Sequence, residues 1–428
     1  MRRTTLLWAA VVLVAGVFGW ADVRQRARLD RGTRYHRTDF TVYQAAALAL
    51  RTGEDPYEAR SPRGYRYLYP PLLAVLLMPV AGWASQDAAV LFYALSVAAL
   101  ASAAVGTMRV AGVRATVLAG IVCAPFFVQT LQRGQVTILL LALQVGALTL
   151  LVRGRPAGAG LALGIGGALR LTPLLPGAAL VAGAIALGRG GRATVGRVAG
   201  GLAAGLVLGL VVVPVAALGP SQAAEVSGTW VRMTTEVYGP KMRELDEDAI
   251  NEYRFKNQAP RRVFATYAGW ATGATFEKEQ PALAPGVRHA VDAAAGVVAA
   301  AACLLALLLG WRRLRDPAAP GFAAAFGAVV LLPVLATRYT WPTHYVMALP
   351  ALALAIAGST RAGAIVFAAG TALFYAAHAA ALEPLGAAGP LLAGCMVLLV
   401  ALIRRTLLGS AWPGPEPRPD APPAISSA

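Results

Sequence analysis

Residues 197–218 read RVAGGLAAGLVLGLVVVPVAAL, one arginine followed by twenty-one positions with neither a charge nor a hydrogen-bonding side chain. A helix needs about 20 such residues to cross the hydrocarbon layer of a bilayer. Similar apolar blocks run roughly over 6–21, 88–108, 116–131, 136–152, 157–169, 173–188, 289–310, 321–336, 340–357, 361–378 and 387–403. The whole chain of 428 residues is 57% hydrophobic and 14% charged, with a mean hydropathy of +0.59. Soluble domains carry about 25% charged residues, so this chain cannot clothe a soluble core in charge. A soluble enzyme, a disordered chain and a disulfide scaffold are excluded, and a polytopic, all-α integral membrane bundle is expected.

The net charge of +17 comes almost entirely from arginine, with Lys241, Lys256 and Lys278 the only lysines. No basic run is interleaved with aromatics on a polar face, so a nucleic-acid partner is not expected. Cys123, Cys303 and Cys395 fall inside apolar blocks and have no metal-ligand or disulfide spacing. The arginines instead mark topology. Arg2/Arg3, Arg109/Arg114, Arg153/Arg155, Arg189/Arg192/Arg197, Arg312/Arg313/Arg315, Arg361 and Arg404/Arg405 mark alternate connections, which the positive-inside bias assigns to the cytoplasm. They share one side only if block 68–84, with Pro70, Pro71 and Pro79, dips into the membrane without crossing. The count is then twelve spans with both termini cytoplasmic. Residues 1–411 form the membrane domain, and the Pro- and Ala-rich residues 412–428 a disordered tail. The apolar stretch after Met1-Arg2-Arg3 reads as a retained signal anchor in a plasma (inner) membrane.

Two long loops, 22–87 and 219–288, then face outward. No acidic residue lies between Asp87 and Glu225, and those from Glu225 to Asp292 sit in or beside the second loop. Ion-coupled transporters place carboxylates within their spans, whereas here titratable chemistry gathers at the outer face. That distribution favours a reaction at the extracytoplasmic interface over a lipid or polysaccharide transporter or flippase, the competing class.

The first loop carries the sharpest constellation. In residues 38–50, Phe40, Tyr43, Ala47 and Leu50 recur at helical spacing, and Gly53 supplies a stop. A short amphipathic helix at the membrane surface is expected, with Asp39 at its N-terminus. Asp39 there reads either as a simple helix cap or as a base. Beyond the helix come Gly53-Glu54-Asp55-Pro56-Tyr57 and Tyr65-Arg66-Tyr67-Leu68-Tyr69-Pro70-Pro71, a turn signal followed by interfacial tyrosines.

The run from Asp39 and Tyr43 through Asp55-Pro56-Tyr57 to Tyr67-x-Tyr69-Pro70-Pro71 resembles the start of glycosyltransferase family 87, of the GT-C superfamily. Four later stations are similar and follow in order: Arg133-Gly134-Gln135, Leu169-Arg170-Leu171-Thr172-Pro173, Asn257-Gln258, and Trp341-Pro342-Thr343-His344-Tyr345. Ala259 replaces the serine usual after Asn-Gln, and Arg170 stands where lysine is common. The resemblance implies a GT-C-type helical bundle and an inverting hexosyltransferase. It would take a sugar, mannose by the family's examples, from a polyprenyl-phosphate donor and add it to a lipid-linked or glycan acceptor. A hydroxyl acceptor needs a base on its side of the anomeric carbon, and the leaving phosphate needs cations. The resemblance assigns the base to Asp39 and phosphate binding to Arg170 and His344. Arg133 and Arg338, the other basic residues of the short outer turns, join that phosphate set. Tyr43, Tyr69, Gln135, Asn257, Gln258 and Trp341 become candidate substrate contacts. His36, His289 and His378 match no station and read as structural. The acidic run Glu244-Leu245-Asp246-Glu247-Asp248 reads as a solvated loop face, and neither a cofactor nor a metal site is expected.

The topology is testable with single cysteines at Gln86 and Gly112 in a background lacking the three native ones. An impermeant thiol reagent added from outside is expected to label position 86 and not position 112. The reverse pattern would overturn the span count.

Overall fold

The computed structural model describes residues 16–17, 39–61, 65–237, 256–277, 280–317, 319, 321–337, 339–358, 361–380 and 382–408. Most of the first expected span, His36, the acidic run at 244–248, Arg338 and the tail 412–428 lie outside these residues.

Helix α1 spans Phe40–Thr52, and α2, Pro71–Leu77, runs into a 3-10 turn at Met78–Val80. There follow α3 (Ser85–Ala111), α4 (Val113–Arg133), α5 (Thr137–Val152), α6 (Pro156–Leu169) and α7 (Leu174–Ile185). Helix α8 covers Arg192–Leu218, with a π-helical segment at Leu208–Val212. That segment stands just ahead of Pro214, which has no N–H to continue the regular ladder. Next come α9 (Pro220–Val237), α10 (Pro260–Thr272) and a hairpin of two-residue strands, Phe276–Glu277 and Gln280–Pro281. The longer helices that follow are α11 (Pro285–Arg313), α12 (Phe322–Leu331), α13 (Ala348–Ala357), α14 (Arg361–Ala379) and α15 (Pro390–Leu408), with short turns at Pro333–Ala336 and Glu383–Ala387. Prolines open many of them, where a missing N–H costs nothing and φ is already helical. Left-handed glycines at 53, 134 and 273 close α1, α4 and α10.

The boundaries of most apolar blocks fall within a few residues of these helices, but the count of full spans does not carry over. Six helices, α3, α4, α8, α11, α14 and α15 with the turn ahead of it, have the length and composition to cross a membrane. The other apolar helices among the described residues run to 10–17 residues. At 1.5 Å per residue, a helix of about 14 residues reaches about 21 Å, short of the roughly 30 Å hydrocarbon layer. Block 340–357, expected as a single span, is a 3-10 segment, Pro342–Met347, followed by α13. Block 68–84 supplies only α2 and its turn, too short to cross.

The short helices are the interior ones. All of α12 but Ala323 is buried, as is α13 from Ala348 to Ala355. Their breaks fall at polar or proline-bearing segments, Arg170–Pro173 and Thr337–Trp341. Irregular backbone at membrane depth persists only where protein or a polar cavity satisfies it. Thr340 shows how: its hydroxyl donates to the Val334 carbonyl at 2.8 Å, near the end of the helical turn Pro333–Ala336.

Helix α1 also departs from expectation. Its apolar positions Phe40, Tyr43, Ala47 and Leu50 are all buried, but so are Thr41, Gln44, Ala46 and Ala49. The helix is packed into protein on most faces and does not lie on a membrane surface with one face in lipid. Gln44 fixes it, donating through Nε2 to the carbonyls of Ala81 (3.3 Å) and Trp83 (2.9 Å).

Helices α6 and α8 cross closely, through small residues on both sides. A Cβ added at Gly201 would sit 2.1 Å from the Ala157 carbonyl oxygen, and one at Gly164 2.3 Å from that of Leu202. Such backbone-to-backbone approach is the usual basis of helix association in lipid. Gly201→Ala is therefore expected to destabilise the protein by about 1–3 kcal/mol, read as a lower thermal midpoint in detergent. Its neighbour Gly200 faces open space, so Gly200→Ala should leave the midpoint unchanged or raise it. Equal behaviour of the two variants would contradict this packing.

Candidate active site

Asp39 stands at the N-cap of α1, but it does not cap. Its backbone is helical (φ −65°, ψ −20°), and its side chain makes no cap hydrogen bond. A capping residue normally adopts an extended backbone, which turns its oxygen towards the first N–H groups. The Asp39 carboxylate instead accepts a hydrogen bond at Oδ2 from Gln135 Nε2, 96 residues further along the chain.

Gly134 makes that meeting possible. It ends α4 at φ +66°, and a Cβ built on it would lie 2.8 Å from the Phe40 Cβ. Only glycine allows the α4–α5 turn to press against the first residue of α1, and the next residue of the turn is Gln135. The Gln135 N–H donates back to the Thr130 carbonyl at 3.1 Å, which fixes the turn.

One turn beyond Asp39, Tyr43 leads into an aromatic cluster. Its hydroxyl donates to the Tyr69 hydroxyl at 3.2 Å, and the two rings meet edge to face at 5.2 Å. Burial, then the neighbouring Tyr69 and Asp39, push the Tyr43 phenol above its ordinary pKa, so it is a neutral donor at physiological pH. The other motif tyrosines brace Tyr69. Tyr57 donates to the Tyr69 carbonyl at 3.3 Å. Tyr67 donates to the Pro70 carbonyl at 2.6 Å and accepts from the Ala74 N–H in α2 at 3.2 Å. Asp55 makes a local turn, accepting the Tyr57 N–H at 2.9 Å.

On the far side of Tyr69 lies the cation. The Arg170 guanidinium sits 5.9 Å from the Tyr69 ring centroid, within cation–π range. Its Nη2 is 3.0 Å from His344 Nε2. A guanidinium only donates, so Nε2 accepts and the imidazole is neutral, protonated on Nδ1. The Tyr339 backbone is hydrogen-bonded to that ring, and this tautomer is inferred from the bonding pattern. Five separate stretches of sequence thus supply two groups of contacts, Asp39 with Gln135 and Tyr43, Tyr69, Arg170 and His344 in a row, joined by one turn of α1. Arg133 lies near enough for its charge to act on His344.

The remaining candidates have other surroundings. Asn257 and Gln258 are wholly buried. Asn257 Oδ1 accepts the N–H groups of Ala259 (3.1 Å) and Thr340 (2.9 Å). The Gln258 N–H donates to the Thr340 carbonyl at 2.7 Å, and its Nε2 donates to the Gly386 carbonyl at 3.0 Å. Together they stitch the end of the second loop to the segment just before His344. Trp341 is half-buried, and its carbonyl accepts the His344 N–H at 2.8 Å.

Arg170 and His344 also line a narrow cleft, with Thr137, Gln144, Thr172, Thr337 and several apolar side chains. Sequence reading passed over Thr137 and Gln144. A signal was available, since Gln144 is the one amide in the otherwise apolar α5, and polar residues inside spans tend to be functional. Among the described residues, no three of His, Cys, Asp and Glu gather closely enough to hold a metal.

The sequence profile of glycosyltransferase family 87 matches residues 67–337, more than half of the chain. No curated protein and no solved structure matches it.

Gly134→Ala is expected to lower both thermal stability and activity, because it adds a clash with Phe40 to the cost of a left-handed alanine. The backbone part alone is about 1–2 kcal/mol. Gly53→Ala, at φ +79° with nothing near its Cβ, should show that part only and spare activity. Equal losses in both would contradict the role given to the Gly134 contact.

Proposed function

We propose, for a chain that belongs to glycosyltransferase family 87 and is therefore a membrane glycosyltransferase with a sugar donor and an acceptor, that the donor is a polyprenyl-phosphate hexose, mannose in the first instance. The sugar passes with inversion to a lipid-linked or glycan acceptor at the extracytoplasmic face. The observation that carries this reading is the meeting of Asp39, held by Gln135, with an aromatic cluster that ends in Arg170 and His344.

The chemistry runs along that string. An acceptor hydroxyl attacks the anomeric carbon and gives its proton to the Asp39 carboxylate, which Gln135 orients by its single donated bond. The bond from the anomeric carbon to the phosphate oxygen breaks, and its electron pair leaves with the polyprenyl phosphate. The bond to His344 occupies one of the five N–H donors of Arg170, so others remain for the phosphate oxygens, where a guanidinium fork suits the geometry. Arg133 adds positive charge nearby. Arg338 is proposed for the same set from its sequence position alone. Tyr43 and Tyr69 are proposed to contact the sugar or its phosphate. Asn257 and Gln258 serve by holding the His344 segment in place, and Trp341 by receiving the His344 N–H. The outward orientation rests on the arginine clusters at the opposite helix ends, such as Arg109 in the last turn of α3 and Arg153 just beyond α5.

Asp39→Asn preserves shape and removes the base. Turnover of purified enzyme with polyprenyl-phosphate mannose and native lipid extract is expected to fall about 10²–10⁴-fold. Arg170→Gln should raise the apparent donor constant and slow transfer, while Arg170→Lys keeps part of the activity. Near-normal turnover in a folded Asp39→Asn protein would refute the assignment of the base.

A further inference from the structure

A groove of about 480 Å³ opens between α3 and α5, towards the helix ends opposite Gln135. Its size falls within the roughly 300–1,000 Å³ of ligand sites. Ala101, Val105 and Gly106 of α3 and Ala142, Gly146 and Leu150 of α5 line it, and Arg109 and Arg153 stand at its end. The two hydroxyls on its wall are already bonded within their own helices. Ser102 donates to the Ala98 carbonyl and Thr149 to that of Val145, each at 2.9 Å, so the wall offers a ligand an essentially apolar surface. Ser102, Val105, Arg109 and Arg153 are exposed, and the groove is therefore open to the outside of the bundle.

Two glycines shape the groove in different ways. A Cβ on Gly106 would lie 2.5 Å from Val145 Cγ1, so this glycine lets α3 and α5 touch. A Cβ on Gly146 would meet nothing within 4 Å. Glycine inside a helix is unfavourable, and no neighbouring helix uses the space that Gly146 leaves. Neither guanidinium at the end of the groove has a hydrogen bond or an ion pair among the described residues. From Ala142 to Arg153 the lining runs about 16 Å at 1.5 Å per residue, the depth of one leaflet's hydrocarbon. These helix ends are among those the arginine pattern assigns to the cytoplasm. The cytoplasmic leaflet carries anionic lipids, and basic pockets between spans on that side take their headgroups.

We propose that this groove binds one anionic phospholipid of the cytoplasmic leaflet, with its phosphate on Arg109 and Arg153 and an acyl chain along the apolar wall as far as Ala101 and Ala142. Guanidinium forks match phosphate oxygens, and a flexible chain fills the space beside Gly146. Seated there, the lipid ties α3 to α5 and stabilises the bundle at the end remote from Asp39. A second copy of the chain fits less well. Of its acidic residues only Asp316, Glu416 and Asp420 belong to connections assigned to that side, so it brings few partners for the two arginines.

The test titrates the delipidated full-length protein in neutral detergent with dioleoyl phosphatidylglycerol or dioleoyl phosphatidylcholine. Native mass spectrometry counts the lipids bound, and the thermal midpoint is read alongside. Wild type is expected to retain one phosphatidylglycerol in preference to phosphatidylcholine, and its midpoint to rise with the former. Arg109→Gln combined with Arg153→Gln should weaken that retention about tenfold or more, the scale of two guanidiniums acting on anionic lipid. Gly146→Leu keeps both charges and fills the groove. It should lose the bound lipid as well, while its midpoint without lipid equals or exceeds that of wild type, because leucine favours the helix. Arg189→Gln combined with Arg192→Gln removes the same charge from exposed positions on the same side and should leave retention unchanged. Equal loss in this control would overturn the site, since general charge attraction would then explain the binding. Unchanged retention in Gly146→Leu, or no preference for phosphatidylglycerol in wild type, would overturn it too. So would a dimer that Gly146→Leu abolishes, because the groove would then belong to a second copy.

Discussion

Inside an apolar bundle every polar group must find a partner, because neither lipid nor hydrocarbon side chains supply one. The architecture follows from that constraint. Long, unbroken helices such as α3 and α11 satisfy their own backbones and can stand at the periphery. The short helices α6, α7, α12 and α13 break at Arg170–Pro173 and Thr337–Trp341, and these breaks survive because protein groups meet them. Thr340 bonds to Val334, and Asn257 and Gln258 bond to Thr340. Both breaks border one cleft, which Arg170, Thr172, Thr337 and His344 line.

The same constraint explains why the catalytic candidates form a connected string. Asp39 is held by Gln135, Tyr43 by Tyr69, and Arg170 by a ring face and an imidazole lone pair. Each contact fixes a side chain in place before any substrate arrives, which is what electrostatic preorganisation requires. Gly134 is the geometric hinge of the arrangement, since its missing Cβ lets α4 close onto α1 and brings Gln135 to the carboxylate. Not every polar atom is met: among the described residues Gln135 Oε1, Thr137 Oγ1, Gln144 Oε1 and Thr343 Oγ1 are buried without a partner.

Much of the helical layout was legible because apolar periodicity and block length are local properties. The limits of α3, α4 and α11 lie close to those of blocks 88–108, 116–131 and 289–310. What sequence could not reveal was depth. A block of apolar residues looks alike whether it crosses lipid or fills an interior, so the helical stretches Phe322–Ala336 and Pro342–Ala357 resembled full spans although they are shorter and largely buried. Helix α1 misled for a related reason: its stripe of Phe40, Tyr43, Ala47 and Leu50 suggested one buried face, while tertiary packing covers Thr41, Gln44 and Ala46 as well. At the site, Asp39, Arg170 and His344 stood out by type and order. Their connection through Tyr69, and the bond from Gln135, depend on contacts between residues 96 and 174 positions apart, which no local pattern records. The bond from the Thr340 N–H to Asn257 Oδ1 likewise joins residues 83 positions apart.

A single carboxylate acting as base, opposite a phosphate leaving group, permits one stereochemical course. The decisive measurement is the anomeric configuration, by nuclear magnetic resonance, of the hexose that purified protein adds to a lipid or glycan acceptor from a polyprenyl-phosphate sugar of known configuration. The expected product gains one hexose with the configuration at the anomeric carbon inverted relative to the donor. A product that retains the donor configuration, or no product from any polyprenyl-phosphate hexose, would contradict the role given to Asp39 and the cluster built around it.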